Sequence, residues 1–357
     1  MNVSINPKLS LLMETADLLF AYVNQMSPST LTSDKPYCIP EAEVDRIMKE
    51  VCGHLDPEDA KLRFYFQSVP VDSVKSTKMG GTSVGQLLVY TNMDASGCDI
   101  QQARTIMHDY YLGTGCFYEI HNIGQFALGT RACEEYRSIA QELQKLSMPE
   151  TLRLQLAEVL SNYHHHVDQI CDLLEPLSQK LQPLLLPWWE QMRPWMEQWR
   201  ENLSTLQGQQ DFAERINLDT TNMKNLQVSF RLLRTDCSQG MYDLIDSELR
   251  CQLGLDFEPE KESAGALTSL QITALRLLAS PDRIEMLRAM TNRVMTPKEL
   301  TQELGMHAGT VFRDLNSMFQ AHLVELVVDG IHRSYTTNTK YVNQLLAQLG
   351  GYINQKT

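Results

Sequence analysis

Paired cysteines, long apolar runs and nucleotide-binding loops are all missing from this chain of 357 residues. Its eight cysteines (Cys38, Cys52, Cys98, Cys116, Cys133, Cys171, Cys237 and Cys251) stand singly, with no Cys-x-x-Cys. That spacing excludes the common structural zinc and dithiol redox motifs and fits reduced, buried thiols in the cytoplasm. Lys8, Glu14 and Asp17 interrupt the N-terminal apolar stretch, so no export leader is expected. Nor does any run approach the roughly 20 apolar residues of a membrane helix, so no membrane partner is expected. Residues 78–82 (Lys-Met-Gly-Gly-Thr) lack the G-x-x-x-x-G-K-[ST] spacing, and residues 112–115 (Leu-Gly-Thr-Gly) lack the third glycine of a dinucleotide site. No Ser/His/Asp order or Cys/His pair stands out, so no catalytic residue is assigned, no cofactor is expected and the chain is not read as an enzyme.

Positive charge is also scarce: 31 Lys and Arg stand against 44 Asp and Glu, for a net of −13. The deficit is uneven. Residues 266–340 hold eight bases and seven acids, a net of +1, so nearly all the negative charge lies upstream. An acidic body repels a phosphate backbone and suppresses indiscriminate binding. A hydrophobic content of 43% and a charged content of 21% mark a globular chain long enough for two or three domains.

Taken in order, residues 6–24 read as a helix with Leu9, Leu12, Ala16, Leu19 and Phe20 inward, and residues 27–40 as a proline-bearing loop. A helix is expected over residues 41–51 (Val44, Ile47 and Met48 inward), and Asp56-Pro57 should open a short one. A loop follows over 75–85 and a strand over 86–91, then helices over 101–112 and 130–145. From 149 to 186, Leu156, Leu160, Tyr163, Val167, Ile170, Leu174, Leu177 and Leu181 recur in alternating steps of four and three, a heptad seam. Such a seam buries against a helix of the same chain or of a partner chain. Pro176 and Pro183 predict a kink or break. Pro187 should start another helix, bent at Pro194, with Trp188, Trp195 and Trp199 on one stripe. That stripe either fills core or lines an effector pocket. Residues 207–214 read as a polar linker. Leu226, Val228, Phe230 and Leu232 alternate with polar residues as a half-buried strand.

The stretch from 280 to 336 organises the rest. Ser280-Pro281 opens a helix with Ile284, Leu287 and Met290 inward. Thr296-Pro297-Lys298-Glu299 carries a capping box, with Leu300 and Leu304 inward and Gly305 where the chain must turn. A third helix runs over about 307–321, with Val311, Leu315, Met318 and Phe319 buried. Residues 325–328 and 331–336 then flank Asp329-Gly330, a strong hairpin signal. Helix, helix, tight turn, helix, hairpin is the layout of a winged helix-turn-helix. A preceding helix (Leu267, Leu270, Ala274, Leu277) and a last one (Val342, Leu345, Leu346, Leu349) enclose it.

These residues resemble a family. Residues 278–287 (Leu-Ala-Ser-Pro-Asp-Arg-Ile-Glu-Met-Leu), 300–306 (Leu-Thr-Gln-Glu-Leu-Gly-Met) and 310–315 (Thr-Val-Phe-Arg-Asp-Leu) look like the opening, support-helix and recognition-helix signatures of ArsR-type bacterial regulators. The resemblance covers about residues 267–341. It implies a homodimer on a near-palindromic operator in double-stranded DNA, a first and last helix of the module that pair across the dimer, and repression relieved by an effector. Two of the family's metal sites are absent: the support helix has no Cys-x-Cys and the last helix no Asp/His set. Three consecutive histidines, His164, His165 and His166, point about 100° apart on a helix and cannot chelate one ion together; a solvated or boundary face is expected for them and no metal site is assigned.

The N-terminal half of the third helix of such a module enters the major groove. The exposed set expected there is His307, Ala308, Gly309, Phe312, Arg313 and Asn316, with Arg313 suited to guanine, Asn316 to adenine and Phe312 to a thymine methyl. Thr310 and Lys298 suit phosphates, and His332 and Arg333 suit the minor groove or its flanks. His307 replaces the family's usual capping serine, and Asp314 puts an acid near the groove.

The sequence therefore predicts a mainly α protein with minor β. Residues 1–255 form a mostly helical effector or dimerisation domain, with long proline-interrupted helices over 149–206. Residues 256–265, with the charged run around Pro259, form a linker, and 266–357 the DNA-binding domain. The expected function is effector-responsive transcription regulation, most simply repression, in a bacterial cytoplasm, with Trp188, Trp195 and Trp199 as candidate ligand residues for an unnamed small molecule. The alternative is a winged-helix docking or scaffold module without specific DNA readout.

Overall fold

The structure is a computed structural model, and it describes residues 2–71, 77–90, 97–113, 117–120, 124–127, 136–144, 148–216, 223–243, 248–258, 269–329 and 332–354. These residues are mainly helical with small sheets, as the sequence predicts. The chain divides into two compact units. The first holds Met1–Arg200, Asn225–Asp243 and Glu248–Pro259; the second holds Glu201–Lys224, Leu244–Ser247 and Glu260–Thr357.

The first unit opens with strand β1 (Asn2–Ile5) and helix α1 (Leu11–Val23). Helices α2 (Glu41–Cys52), α3 (Ala60–Phe66), α4 (Val84–Tyr90) and α5 (Ile100–Gly113) follow, then the hairpin β2 (Phe117–Ile120) and β3 (Gly124–Ala127) and helix α6 (Tyr136–Leu143). Next come α7 (Glu150–Ser161), α8 (Tyr163–Gln191) and α9 (Arg193–Leu203), whose first two turns belong to this unit. After α10 (Leu206–Ile216) of the second unit, strands β4 (Asn225–Arg231), β5 (Ser238–Asp243) and β6 (Glu248–Gly254) complete it. The sheet order is β1-β4-β6-β5, with β1, β4 and β6 parallel and β5 antiparallel at the edge.

Helix α2 forms where the periodicity placed it, with Val44, Ile47 and Met48 buried. Several other expectations are corrected. The short helix starts after Asp59, whose carboxylate accepts from the Lys61 and Leu62 amides, not at Asp56-Pro57. Residues 84–90 are a helix, not a strand: all seven are buried, and a short apolar run carries no period to separate the two. The helix expected from 130 begins at Tyr136, and residues 130–135 lie outside the described residues. The polar stretch 207–214 is helix α10, not a linker.

Strand β4 begins with the expected alternation, Leu226 and Val228 buried and Asn225 and Gln227 half-buried, and is buried on both faces from Val228 to Arg231. Its last residue, Arg231, is fully enclosed. Its Nε donates to Glu14 Oε1 (3.0 Å), its Nη1 to Gln252 Oε1 (3.0 Å) and its Nη2 to Asp17 Oδ2. Glu14 also accepts from the backbone amides of Leu232 (2.9 Å) and Leu233 (2.8 Å). Asp17 Oδ1 accepts from the Tyr90 hydroxyl and from Gln86 Nε2, and Arg234 Nη1 donates to that hydroxyl at 2.9 Å. Burial works to lower the Arg231 pKa, but the carboxylates of Glu14 and Asp17 outweigh it and hold the guanidinium well above its usual range. Helix α1, buried almost all round, is thereby bound by two acids one turn apart to the end of a central strand.

All eight residues of the heptad seam are buried. Helix α8 lies against α1, α2 and α5 of its own unit, which makes the seam an internal one. The break falls at Asn162 (φ −125°, ψ 42°), and α8 continues unbroken through Pro176, Pro183 and Pro187. The three prolines are exposed and spaced seven and four apart, on one solvent-facing stripe. There water can take the carbonyls that proline leaves unbonded, and the helix can curve instead of breaking. Pro187 thus lies inside α8, and Pro194 stands in the first turn of α9, where it starts the helix rather than bending it.

In the second unit, α11 (Ser269–Leu277), α12 (Pro281–Met290), α13 (Pro297–Leu304) and α14 (Ala308–Gln320) precede the antiparallel pair β7 (Val324–Asp329) and β8 (His332–Thr337), and α15 (Thr339–Asn354) ends it. Met286, Leu287 and Met290 form the buried side of α12; Ile284, expected inward, is 47% exposed. On α14, Val311, Leu315 and Met318 are buried and Phe319 half-buried. Asp329, expected in the turn, pairs with His332 as a strand residue; Gly330, Ile331 and Leu267 lie outside the described residues.

Candidate nucleic-acid interface

The capping box forms as its residues dictate. Thr296 Oγ1 accepts from the Glu299 amide (3.3 Å), and Glu299 Oε2 accepts from the Thr296 amide (2.7 Å). The Thr296 amide holds the Glu299 carboxyl below its usual range. Gly305 ends α13 at φ +62°, the left-handed region that favours glycine. The chain then turns through Met306 into α14.

Along α14 the predicted set separates from its core side. His307, Ala308, Gly309 and Arg313 are exposed; Thr310, Phe312 and Asn316 are half-buried; Lys298 is exposed on α13. His332 and Arg333 lie on β8 opposite Asp329 and Val328; their side chains are outside the described residues. Asp314 corrects an expectation. Its carboxylate faces inward, only 5% exposed, and accepts from Arg283 Nη2 of α12 at 3.2 Å. Two further acids are engaged locally: Glu303 takes both Arg293 amino groups at 2.9 Å each, and Glu299 serves the cap. The face around Arg313 is therefore less acidic than the tally of residues suggests.

Helix and hairpin are fixed to each other by the backbone. Met295, in the connection between α12 and α13, exchanges two hydrogen bonds with Tyr335 of β8 (2.9 and 2.8 Å). Thr336 Oγ1 and Thr337 Oγ1 donate to the Met290 and Leu287 carbonyls at the end of α12 (3.2 and 2.6 Å). Nothing in the sequence marked these ties, or Asp314 as a core residue. The signal available for Asp314 was its place one residue before buried Leu315 and three after buried Val311.

Helices α11 and α15 are joined by Gln271 Nε2 donating to Gln348 Oε1 at 2.5 Å. On them Ile272, Leu346, Tyr352 and Ile353 are exposed, while Leu345 is buried. The tryptophans of the first unit separate. Trp195 and Trp199 are buried edge to face, with Trp195 against Phe230 (centroids 4.8 Å), and so fill core. Trp188 is half-buried on α8. The histidine run divides likewise: the expectation of a solvated or boundary face holds for His164 and His165 and fails for His166. His165 is exposed, His164 stacks on His108 (4.7 Å), and His166 is buried with Nδ1 2.7 Å from the Tyr65 hydroxyl. Among the described residues no group of three His, Cys, Asp or Glu side chains is placed to hold a metal ion, and no helix is long and apolar enough to cross a membrane. Compared with family models, with curated proteins and with solved structures, the chain matches none.

Proposed function

We propose that the second unit is an ArsR-type winged helix-turn-helix and that the protein is a DNA-binding transcriptional regulator. The observation that carries this reading is the two-sidedness of α14. Val311, Leu315 and Met318 anchor one side in the core, while His307, Ala308, Gly309 and Arg313 stand exposed, and strand β7 of the hairpin lies against the same helix. In this reading Arg313 donates to a guanine edge, Asn316 and Phe312 contact neighbouring bases, and Lys298 and Thr310 hold phosphates. His332 and Arg333 serve the hairpin's contacts. The exposed Ile272, Leu346, Tyr352 and Ile353 of α11 and α15 support pairing of two copies. A homodimer then spans half-sites about 34 Å apart. The first unit responds to an effector and shifts the separation of the two reading helices, so that one state fits the operator.

The test is selection of duplexes from a random pool by the full chain, followed by Arg313→Ala. A regulator enriches one near-palindromic sequence, and the variant loses that preference by about 1–3 kcal/mol of discrimination. Equal binding of selected and random duplex by both proteins overturns direct readout. No shift of any duplex at low salt would favour the docking-module alternative, for which the module's net charge of only +1 over residues 266–340 is the supporting observation.

A further inference from the structure

His307 occupies the N-cap of α14 (φ −69°, ψ 133°), and its imidazole does what a capping serine does elsewhere: Nδ1 accepts from the Gly309 amide at 3.2 Å. A backbone N–H only donates, so Nδ1 must carry a lone pair. In the neutral ring the proton then sits on Nε2. The cap has therefore chosen the tautomer, and the exposed end of the ring offers one N–H donor and no acceptor.

Gly309 is part of the same arrangement. A Cβ built there would lie 3.3 Å from His307 Nδ1 and 3.5 Å from Cε1, with no positive φ to require glycine. Glycine at this position leaves room for the ring. His307 and Gly309 together hold one imidazole in one orientation, at the start of the exposed face that carries Arg313.

We infer that His307 is a DNA-contacting residue whose cap-fixed Nε2–H donates to a hydrogen-bond acceptor on the duplex: a purine N7, where it sets base preference, or a phosphate oxygen, where it sets only position. This rests on the DNA-binding reading above. A donor aimed at a purine N7 accepts either purine and discriminates against cytosine, whose major-groove edge offers only an amino donor, because two donors brought together leave both unpaired.

The experiment uses the full-length protein and its selected duplex. His307→Ser keeps a capping side chain and removes the Nε2–H donor, leaving a hydroxyl too short to reach the same acceptor; thermal melting and circular dichroism should match the wild type. Binding is measured with 7-deazapurines placed one at a time, which delete N7, and with methylphosphonates placed one at a time, which delete a charged phosphate oxygen. At one position the wild type should lose about tenfold in affinity while His307→Ser loses less than twofold. A deazapurine at that position identifies base readout, and a methylphosphonate identifies backbone contact; either supports the inference. If the two proteins respond alike at every position, His307 makes no such contact and the inference fails while the DNA reading stands. If the wild type selects no duplex, both fail. Gly309→Ala gives a second check: by crowding the ring it should reduce the wild-type sensitivity at that same position.

Discussion

The two units use arginine in opposite ways. In the first, Arg231 is wholly enclosed and meets two carboxylates and an amide. In the second, the Arg313 side chain is 51% exposed, with its Nε 3.5 Å from an inward carboxylate. An enclosed guanidinium is costly to desolvate and must be matched on the spot, so its partners are fixed and its role is structural. An exposed one keeps its hydration and donors, so it contributes little to stability and can exchange water for a ligand. What distinguishes an arginine free to take a ligand from a structural one here is how completely its partners are already present.

The largest expected effect tests the enclosed end of that contrast. Arg231→Met leaves Glu14 and Asp17 buried without their cation and should cost the first unit about 3–5 kcal/mol. Hydrogen exchange on peptides of α1 and β4 reads it; protection within 1 kcal/mol of wild type would show the network to be dispensable. Next comes Asp314→Ala, which strips Arg283 of its partner inside the second unit and should cost about 1–3 kcal/mol there. Comparison with Arg313→Ala, one residue away, sharpens the point. The latter should change stability by no more than about 0.5 kcal/mol while costing about 1–3 kcal/mol of duplex discrimination. Thr296→Ala removes the capping box and should cost about 1 kcal/mol, seen as faster exchange in α13.

The smallest effect is a pH slope in the first unit. Burial holds the His166 pKa below its usual 6.5, with His165 adding to the shift and Glu158 opposing it. The unfolded chain therefore takes up this proton before the folded one does. The stabilising contribution is fully present above the unfolded value and is lost as pH falls through the lowered folded value. The urea midpoint should drop as pH falls through 6.5 and below, and His166→Phe should flatten the slope. An unchanged slope would assign the pH response to other groups.

The second unit was legible because its signals are local. Thr296, Pro297 and Glu299 specify a helix start, and Gly305 specifies a stop, within ten residues and without reference to the remaining chain. In the first unit the signals are long-range. Strand β1 pairs with β4 more than two hundred residues later, and four residues ending before an asparagine carry no strand pattern of their own. Glu14 and Asp17 read as interruptions of an apolar stretch, because their match to Arg231 is visible only in three dimensions. Strand β6 is the exception in the first unit, for Leu249, Cys251 and Leu253 alternate within seven residues. On the candidate face the exposed residues of α14 follow from its period. The inward turn of Asp314 does not, since it needs Arg283 to arrive from another helix.

The paired backbone bonds between Met295 and Tyr335 have a mechanical meaning. They clamp the hairpin at a point immediately before Thr296, where α13 begins, so a push on the strand tips is delivered to the base of that helix as through a lever on a fixed pivot. The amides of these two residues should consequently open together, and a load at one prong should be felt at the other without passing through any side chain.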